Sequence, residues 1–196
     1  SPIPFIVSPT DIIGNGTLSF VSSHPDVADV NSITGEIQMK KAGSVVITAS
    51  IEETEQYYGF FAPAEFTIEK ANSLLSFTIP NKTFTTEPVI AQATIINGNG
   101  TIEYSSSDID IANINSETGE IQIRETGTII ITATIGETDQ YLSSSIDAEF
   151  TIEKAPSSFN YNVPNKTYGD EPFTVVVTDI VGNGIIEYSS LNPDIA

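Results

Sequence analysis

The residues of this chain that could do chemistry are carboxylates that occur as close pairs. Three pairs are candidates for a metal site: Asp108 with Asp110, Glu137 with Asp139, and Asp170 with Glu171. Carboxylate oxygens are hard ligands, and calcium is the cation that takes several of them. We therefore predict these six residues as candidate calcium ligands, although none of the pairs belongs to a dense Asp-x-Asp-x-Asp loop.

The same carboxylates have a structural alternative. An Asp in a Ser-rich corner can accept hydrogen bonds from nearby backbone N–H groups and so form an Asx turn. Asp26, Asp110 and Asp194 recur at equivalent positions, which is typical of a scaffold and unusual for an acid–base pair. The remaining acidic residues can equally be a solvated surface.

Nucleophilic catalysis lacks a suitable base in this sequence. His24 is the single histidine, and Asp108 and Asn192 occupy its equivalent positions. A serine triad needs a base within hydrogen-bond reach, and thiol chemistry needs a cysteine, of which there is none. We predict that the chain is not an enzyme and that calcium is the one candidate cofactor.

The charge balance limits the possible partners. Lys and Arg total 7 against 26 Asp and Glu, a formal net charge of −19. Such a surface repels nucleic-acid phosphates and anionic lipid headgroups. No apolar run is long enough to span a membrane, so we predict neither nucleic-acid binding nor membrane insertion.

An internal repeat sets the elements that position these residues. Three similar stretches are GNGTLSF from Gly14, GNGTIEY from Gly98 and GNGIIEY from Gly182. Their offsets in the numbering are equal, since 98 − 14 = 84 and 182 − 98 = 84. A fixed period of this size is the signature of an array of units. It divides the chain into 1–70, 71–154 and 155–196, called here the first, second and third repeats.

The two outer repeats are incomplete in this register. The first repeat would lack the counterpart of residues 71–84, which includes a first strand, and the third would hold only the N-terminal part of a unit. We expect a window of a longer polypeptide. The alternative is that the partial units complete each other head to tail between molecules.

The second repeat is predicted to consist of about seven short strands. Alternating or β-branched segments, without helical periodicity, occupy residues 75–79, 89–96, 101–104, 120–124, 128–135 and 149–153. Asn97-Gly-Asn-Gly100 predicts a hairpin turn, and Ser116-Glu-Thr-Gly119 predicts a second tight turn. The fold class is therefore all-β, with tandem immunoglobulin-like antiparallel β-sandwich repeats that follow this constant period.

Two sequence patterns resemble known families. The pattern YSSSDxDIAxI, TGEI and GTIIITATI, which begins at Tyr104, resembles the group 2 bacterial immunoglobulin-like repeats of invasin- and intimin-type adhesins. NKTYGD from Asn165 is similar to the YGX β-repeats of Bacteroidetes surface proteins, although the second repeat has Phe84-Thr-Thr86 in place of Tyr168-Gly-Asp170. The resemblance implies an extracellular location at the bacterial cell surface and calcium at junctions between units.

The function we predict is a structural stalk in a large secreted adhesin or filament, one that serves attachment or gliding. Its partners would be the neighbouring repeats of the same long chain. One alternative is that the repeats themselves bind a glycan or receptor, for which Phe60 and Phe61, aligned with Ser144 and Ser145, are the distinguishing residues. Another is a spacer within a secreted enzyme.

Overall fold

A computed structural model describes residues 3–192 of the chain. These residues form β-strands joined by turns and loops, and none of them is helical. The described part therefore contains no helix of the length and apolarity that crossing a bilayer requires. The predicted all-β sandwich fold is confirmed.

The first repeat forms two facing sheets. Its strands are β1 (Phe5–Ile6), β2 (Leu18–Ser22), β3 (Ala28–Val30), β4 (Glu36–Met39), β5 (Gly43–Ile51) and β6 (Phe60–Ile68). One sheet has the order β2-β5-β6 and the other β1-β4-β3, all antiparallel. Phe20, Ala28, Ile37, Val45 and Ile47 form the centre of the core between them.

The second repeat has the same strands and several more. They are β7 (Ala71–Asn72), β8 (Leu74–Ser76), β9 (Lys82–Thr83), β10 (Val89–Ile90), β11 (Thr94–Asn97), β12 (Ile102–Ser106), β13 (Ala112–Ile114), β14 (Glu120–Ile123), β15 (Gly127–Ile135), β16 (Tyr141–Leu142) and β17 (Ser144–Glu153). The main sheets are β12-β15-β17-β9 and β10-β14-β13, with β11-β8 and β16-β7 as two-stranded additions. Two short pairings, β16 with β7 and β9 with β17, are parallel.

The third repeat contributes one antiparallel pair among the described residues, formed by β18 (Ser158–Tyr161) and β19 (Val177–Val181). In sequence position it matches the β8–β11 pair of the second repeat, one period earlier. The strands β2 to β5 likewise match β12 to β15 residue for residue at this offset.

The core of the second repeat follows from strict alternation in β15. Ile129, Ile131, Ala133 and Ile135 point inward and are fully or almost fully buried. Phe150 of the neighbouring β17 is buried with them. A period of two places successive side chains on opposite faces, so this run can fill a sandwich core from one sheet.

The predicted hairpin at Asn97-Gly-Asn-Gly100 is wrong. The strand before it, β11, pairs with β8, whereas the strand after it, β12, pairs with β15. The segment therefore connects different sheets. A Cβ on Gly100 would lie 2.2 Å from the carbonyl oxygen of Gly136, so glycine is needed there for close passage of two backbone segments.

The predicted run 89–96 also divides between the sheets. Its first residues form β10, which pairs with β14, and its last residues form β11, which pairs with β8. In contrast, the predicted turn at residues 116–119 is confirmed as the hairpin between β13 and β14. There Asn115 Oδ1 accepts hydrogen bonds from the N–H groups of Glu117 and Thr118, and Gly119 has a φ of 71°.

Candidate functional site: the junction between the first and second repeats

The junction is built on residues 137–140, the connection between β15 and β16, which we call the acidic loop. Thr138 holds this loop in shape, because its hydroxyl donates to Asn99 Oδ1 (2.8 Å) and accepts from the N–H of Tyr141 (3.2 Å). Asn99 also donates through Nδ2 to Gln140 Oε1 at 2.8 Å. The conformation of the loop is therefore held by hydrogen bonds within the second repeat, independently of its contacts with the first.

The acidic loop contacts the turn between β4 and β5 of the first repeat. The backbone N–H of Ala42 donates to the carbonyl oxygen of Asp139 at 3.0 Å. Gln140 Nε2 donates to the carbonyl oxygen of Lys40 at 2.7 Å. These two hydrogen bonds run in opposite directions between the repeats, so they fix the position of the turn at two points.

Charge complements the hydrogen bonds at the junction. Of the 7 cationic residues, three lie here: Lys40, Lys41 and Lys70. Lys70 forms an ion pair with Glu137 of the acidic loop. Lys40 and Lys41 instead pair with Asp29 and Asp26 of the first repeat, so Lys70 supplies the ion pair to the acidic loop.

Lys41 also shifts the protonation of its neighbour. Its ammonium lies 2.7 Å from Asp26 Oδ2. The hydrogen bond holds the pKa of Asp26 below its ordinary value and raises the pKa of Lys41. Asp139 of the acidic loop contributes a smaller attraction that also raises the pKa of Lys41.

The first predicted carboxylate pair forms a turn. Asp108 Oδ1 accepts hydrogen bonds from the backbone N–H groups of Asp110 (3.0 Å) and Ile111 (3.4 Å). This is the Asx turn considered as the structural alternative, with Asp108 as the acceptor. The side chain of Asp110 lies on the exposed surface.

The other candidate calcium ligands lie in two separate places. Glu137 and Asp139 belong to the acidic loop, where Glu137 is already paired with a lysine. Asp170 Oδ2 accepts a hydrogen bond from the N–H of Thr167 (2.9 Å), and the adjacent Glu171 is exposed. Across residues 3–192, no three His, Cys, Asp or Glu side chains gather as a metal site would require. Calcium binding stays a prediction.

Sequence reasoning missed one anchoring residue of the second repeat. The hydroxyl of Tyr104 accepts a hydrogen bond from the buried backbone N–H of Ala93 at 2.9 Å, and it ties β12 to the connection between β10 and β11. In the first repeat these positions are Phe20 and Pro9. Proline has no N–H to donate and phenylalanine no oxygen to accept. This paired difference was the sequence signal available.

His24 and several aromatic side chains of the first repeat lie at the surface. His24 Nδ1 is 2.9 Å from the hydroxyl of Ser23 in an exposed corner. Phe60 and Phe61 of β6 are each 68% exposed. Tyr57 and Tyr58, beside the counterpart of the acidic loop, are also exposed.

Comparisons with known proteins give a family match over part of the chain and several alignments with solved structures. No curated protein matches the chain. Among solved structures, domains 4–9 of the surface layer protein SbsC align with a TM-score of 0.37 and 14% identity, over 91% of this chain and 31% of that one. Drosophila N-cadherin EC1-4 aligns with a TM-score of 0.33 and 11% identity over 83% of this chain. This chain spans 48% of that cadherin structure.

Human protocadherin-24 EC1-2 aligns with a TM-score of 0.33 and 12% identity, over 72% of this chain and 84% of that one. The family comparison matches residues 13–52, which run from the Gly14 turn through β5. The matching family is described as the intimin immunoglobulin-like domain. The resemblance to bacterial immunoglobulin-like repeats is thereby confirmed, and residues 13–52 are the segment that matches the intimin family.

Proposed function

We propose that this chain is a structural stalk segment of a large secreted bacterial adhesin or filament. The observation that carries the proposal is the junction between the first two repeats. Domains joined by a short linker normally move relative to one another unless their interface restrains them. Here an internally bonded loop makes two hydrogen bonds and an ion pair with the preceding repeat. A restrained junction would let a row of such sandwiches hold its far end away from the cell surface.

Composition and family likeness support the same role. The intimin match on residues 13–52 favours an extracellular, cell-surface location. A net charge of −19 limits lateral association of exposed sandwiches. Immunoglobulin-like domains of adhesion proteins are typically not catalytic, which fits a mechanical role. Service in gliding motility is the narrower form of the proposal and is suggested by the NKTYGD stretch.

The proposal is tested by the distance distribution between two spin labels on the full chain. The chain has no cysteine, so Gln38→Cys and Gln122→Cys label equivalent exposed positions of the first and second repeats. A restrained junction gives one narrow distance distribution. Adding Lys70→Ala with Gln140→Ala should broaden it.

The matched control is Glu117→Ala, which removes an exposed charge from the turn between β13 and β14. It should leave the distribution narrow. A broad distribution in the labelled parent, with no further change in the junction variant, would contradict a stalk built on this contact.

A glycan- or receptor-binding module is the second candidate, and exposed aromatic side chains favour it. Phe60 and Phe61 are consecutive exposed residues on opposite faces of β6, where the second repeat has Ser144 and Ser145. A glycan array probed with the full chain and with the Phe60→Ser, Phe61→Ser variant separates the two functions. Binding that disappears in the variant supports the module, whereas a stalk binds no glycan.

A further inference from the structure

A relay of directed hydrogen bonds connects the backbone of the acidic loop to the first repeat. The Thr138 hydroxyl accepts from the backbone N–H groups of Gln140 and Tyr141, at 3.4 and 3.2 Å. Its own hydrogen is therefore free to donate to Asn99 Oδ1. Since a side-chain amide accepts at one end and donates at the other, Asn99 then directs Nδ2 to Gln140 Oε1. Gln140 in turn presents Nε2 to the carbonyl oxygen of Lys40.

The first repeat contains the beginning of the same relay. The Thr54 hydroxyl accepts from the N–H of Tyr57 at 3.3 Å and donates to Asn15 Oδ1 at 3.1 Å. Gln56 occupies the position that corresponds to Gln140. The orientation of the asparagine is thus a property of this loop in both repeats.

Asn99 acts on the junction through Gln140, so it is a positioning residue. An ionised carboxylate at position 99 could only accept hydrogen bonds, and it would place an oxygen against Gln140 Oε1. The Gln140 amide would then have to turn over to donate to residue 99. Its Oε1 would face the carbonyl oxygen of Lys40, and two acceptors form no hydrogen bond. The hydrogen bond from Gln140 to the first repeat would be lost.

The residue after Asn99 makes this conversion chemically accessible. Asn99 is exposed and precedes Gly100, which has no side chain to hinder the approach of its backbone nitrogen to the Asn99 amide. We propose that Asn99 is a deamidation site whose reaction releases the restraint between the first and second repeats. This inference rests on the proposed stalk function, because it concerns the same junction.

The reaction needs water and no other reactant. The backbone nitrogen of Gly100 attacks the side-chain carbonyl carbon of Asn99 and loses its proton, and a C–N bond forms. The bond from that carbon to Nδ2 breaks, and Nδ2 leaves as ammonia. Water then opens the resulting succinimide ring to aspartate or isoaspartate.

Both products disturb the junction. Aspartate reverses Gln140 as described above. Isoaspartate also lengthens the main chain immediately before Gly100, where a Cβ would lie only 2.2 Å from the carbonyl oxygen of Gly136. The added backbone atom therefore has no room unless the two segments separate.

The relay should slow the reaction that breaks it. Cyclisation requires the Asn99 side chain to leave both of its hydrogen-bond partners, so it proceeds from a locally opened loop. Asn97 is the matched control in the same chain. It is exposed, precedes Gly98, and donates through Nδ2 to the carbonyl oxygen of Asn72 at 2.9 Å. Its hydrogen bond does not involve the acidic loop.

Peptide mapping by mass spectrometry of the full chain, aged at mildly alkaline pH, measures the rate at each asparagine. Asn99 should react more slowly in the chain than in a synthetic peptide of residues 94–104. Gln140→Ala should raise the rate at Asn99 about two- to tenfold, because one hydrogen bond is lost, and leave the rate at Asn97 unchanged. Equal rates at Asn99 in parent, variant and peptide overturn the proposal.

Spin labels at Gln38→Cys and Gln122→Cys measure the effect on the junction. Asn99→Asp should broaden the distance distribution, whereas Asn97→Asp adds the same charge nearby and should leave it narrow. A narrow distribution in the Asn99→Asp variant overturns the proposal, and so does equal broadening in both variants. A broad distribution in the labelled parent contradicts the stalk function instead, and the rates at Asn99 and Asn97 then still decide whether the relay protects Asn99.

Discussion

The first and second repeats share a period and most of their strands, yet their cores differ in quality. Phe150 and Ile152 are buried in the second repeat, while Phe66 and Ile68 of the first are half-buried. The residue types are identical at both positions. In the second repeat the buried residues Leu75, Phe77 and Ile79 pack in the same core as these two side chains, so the neighbours of a residue decide its burial as much as its type does.

A second contrast between the repeats concerns polar groups in the core. In the second repeat the Tyr104 hydroxyl and the Ala93 N–H tie β12 to the connection between β10 and β11. The first repeat removes both members at once, with Phe20 and Pro9. Replacing both partners of a buried hydrogen bond by apolar groups can be nearly neutral, whereas removing one leaves the other unsatisfied. Each repeat therefore avoids an unpaired polar group at this position, the second by a hydrogen bond and the first by two apolar residues.

The largest expected effect comes from truncating the shared core phenylalanine. Phe150→Ala should cost about 3–5 kcal/mol of unfolding free energy, because the cavity lies in a closed core. Phe66→Ala should cost roughly half of that or less, because its ring is partly exposed already. Hydrogen exchange followed by mass spectrometry measures the opening of each repeat separately. Equal losses would show that the first repeat is closed in solution.

Backbone crossing should give the next largest effect, and it should be shared by the first and second repeats. Gly100→Ala places a Cβ 2.2 Å from the Gly136 carbonyl oxygen and should cost about 3 kcal/mol. Gly16→Ala, at the equivalent position of the first repeat, places a Cβ 2.0 Å from the Glu52 carbonyl oxygen and should cost about as much. Urea unfolding of both variants tests this. A harmless Gly100→Ala would mean that the two segments do not cross closely.

Single substitutions at Tyr104 or Phe20 should leave one polar group without a partner and so lower the stability of the repeat. Tyr104→Phe leaves the Ala93 N–H buried without its partner and should cost about 1–3 kcal/mol. Phe20→Tyr introduces a hydroxyl opposite Pro9, which cannot donate, and should also destabilise. The double variant Phe20→Tyr, Pro9→Ala should recover part of that loss. Hydrogen exchange of each repeat provides the measurement, and an additive double variant would contradict the pairing.

Calcium tests whether the acidic loop of the second repeat differs from its counterpart at residues 53–56 in the first. If Glu137 and Asp139 bind calcium at the junction, a concentration ten times the dissociation constant adds about 1.4 kcal/mol to the folded state. Calcium would then raise the Tm of the full chain but not the Tm of the Glu137→Gln variant. Absence of any shift at millimolar calcium would remove the predicted site.

The sequence predicted regular, local features well and pairing across the fold poorly. The period located strands such as β14 and β15, because alternation and β-branching act within a few residues. The Asn-Gly pairs of Asn97-Gly-Asn-Gly100 wrongly predicted a hairpin, because Asn-Gly favours a tight turn whichever strands it joins. Which strand pairs with β11 is decided by β8, which lies well upstream in the chain, with β9 and β10 between them.

The junction was the least predictable part of the candidate site. The acidic loop was found as a pair of carboxylates, whereas its main hydrogen bonds to the first repeat use Gln140 and a backbone carbonyl. Backbone groups carry no sequence signal, and Gln140 lies 100 residues from its partner Lys40. The charge pattern indicates that lysines form ion pairs with acidic residues, but it does not identify the partners.

The smallest expected effect concerns pH and the Asp26–Lys41 pair. The second repeat has Asp110 and Glu125 at these positions, two acids in place of an acid and a lysine. Because the folded pKa of Asp26 lies below its ordinary value, the pair stabilises the first repeat above about pH 4. That contribution is lost as the pH falls through the lowered pKa. It is lost again at high pH, as the pH rises through the raised pKa of Lys41.

Acidification should therefore destabilise the corner of the first repeat that holds Asp26 and Lys41, and leave the equivalent corner of the second repeat unchanged. The second repeat has no acid–lysine pair at the equivalent positions, so its corner should keep its stability over the same interval. Glu125→Lys should give the second repeat the acid sensitivity of the first, and Lys41→Glu should remove it from the first. Hydrogen exchange of the two corners, corrected for intrinsic pH dependence, measures the contrast. Identical acid responses in the parent and both variants would show that this pair does not stabilise the first repeat.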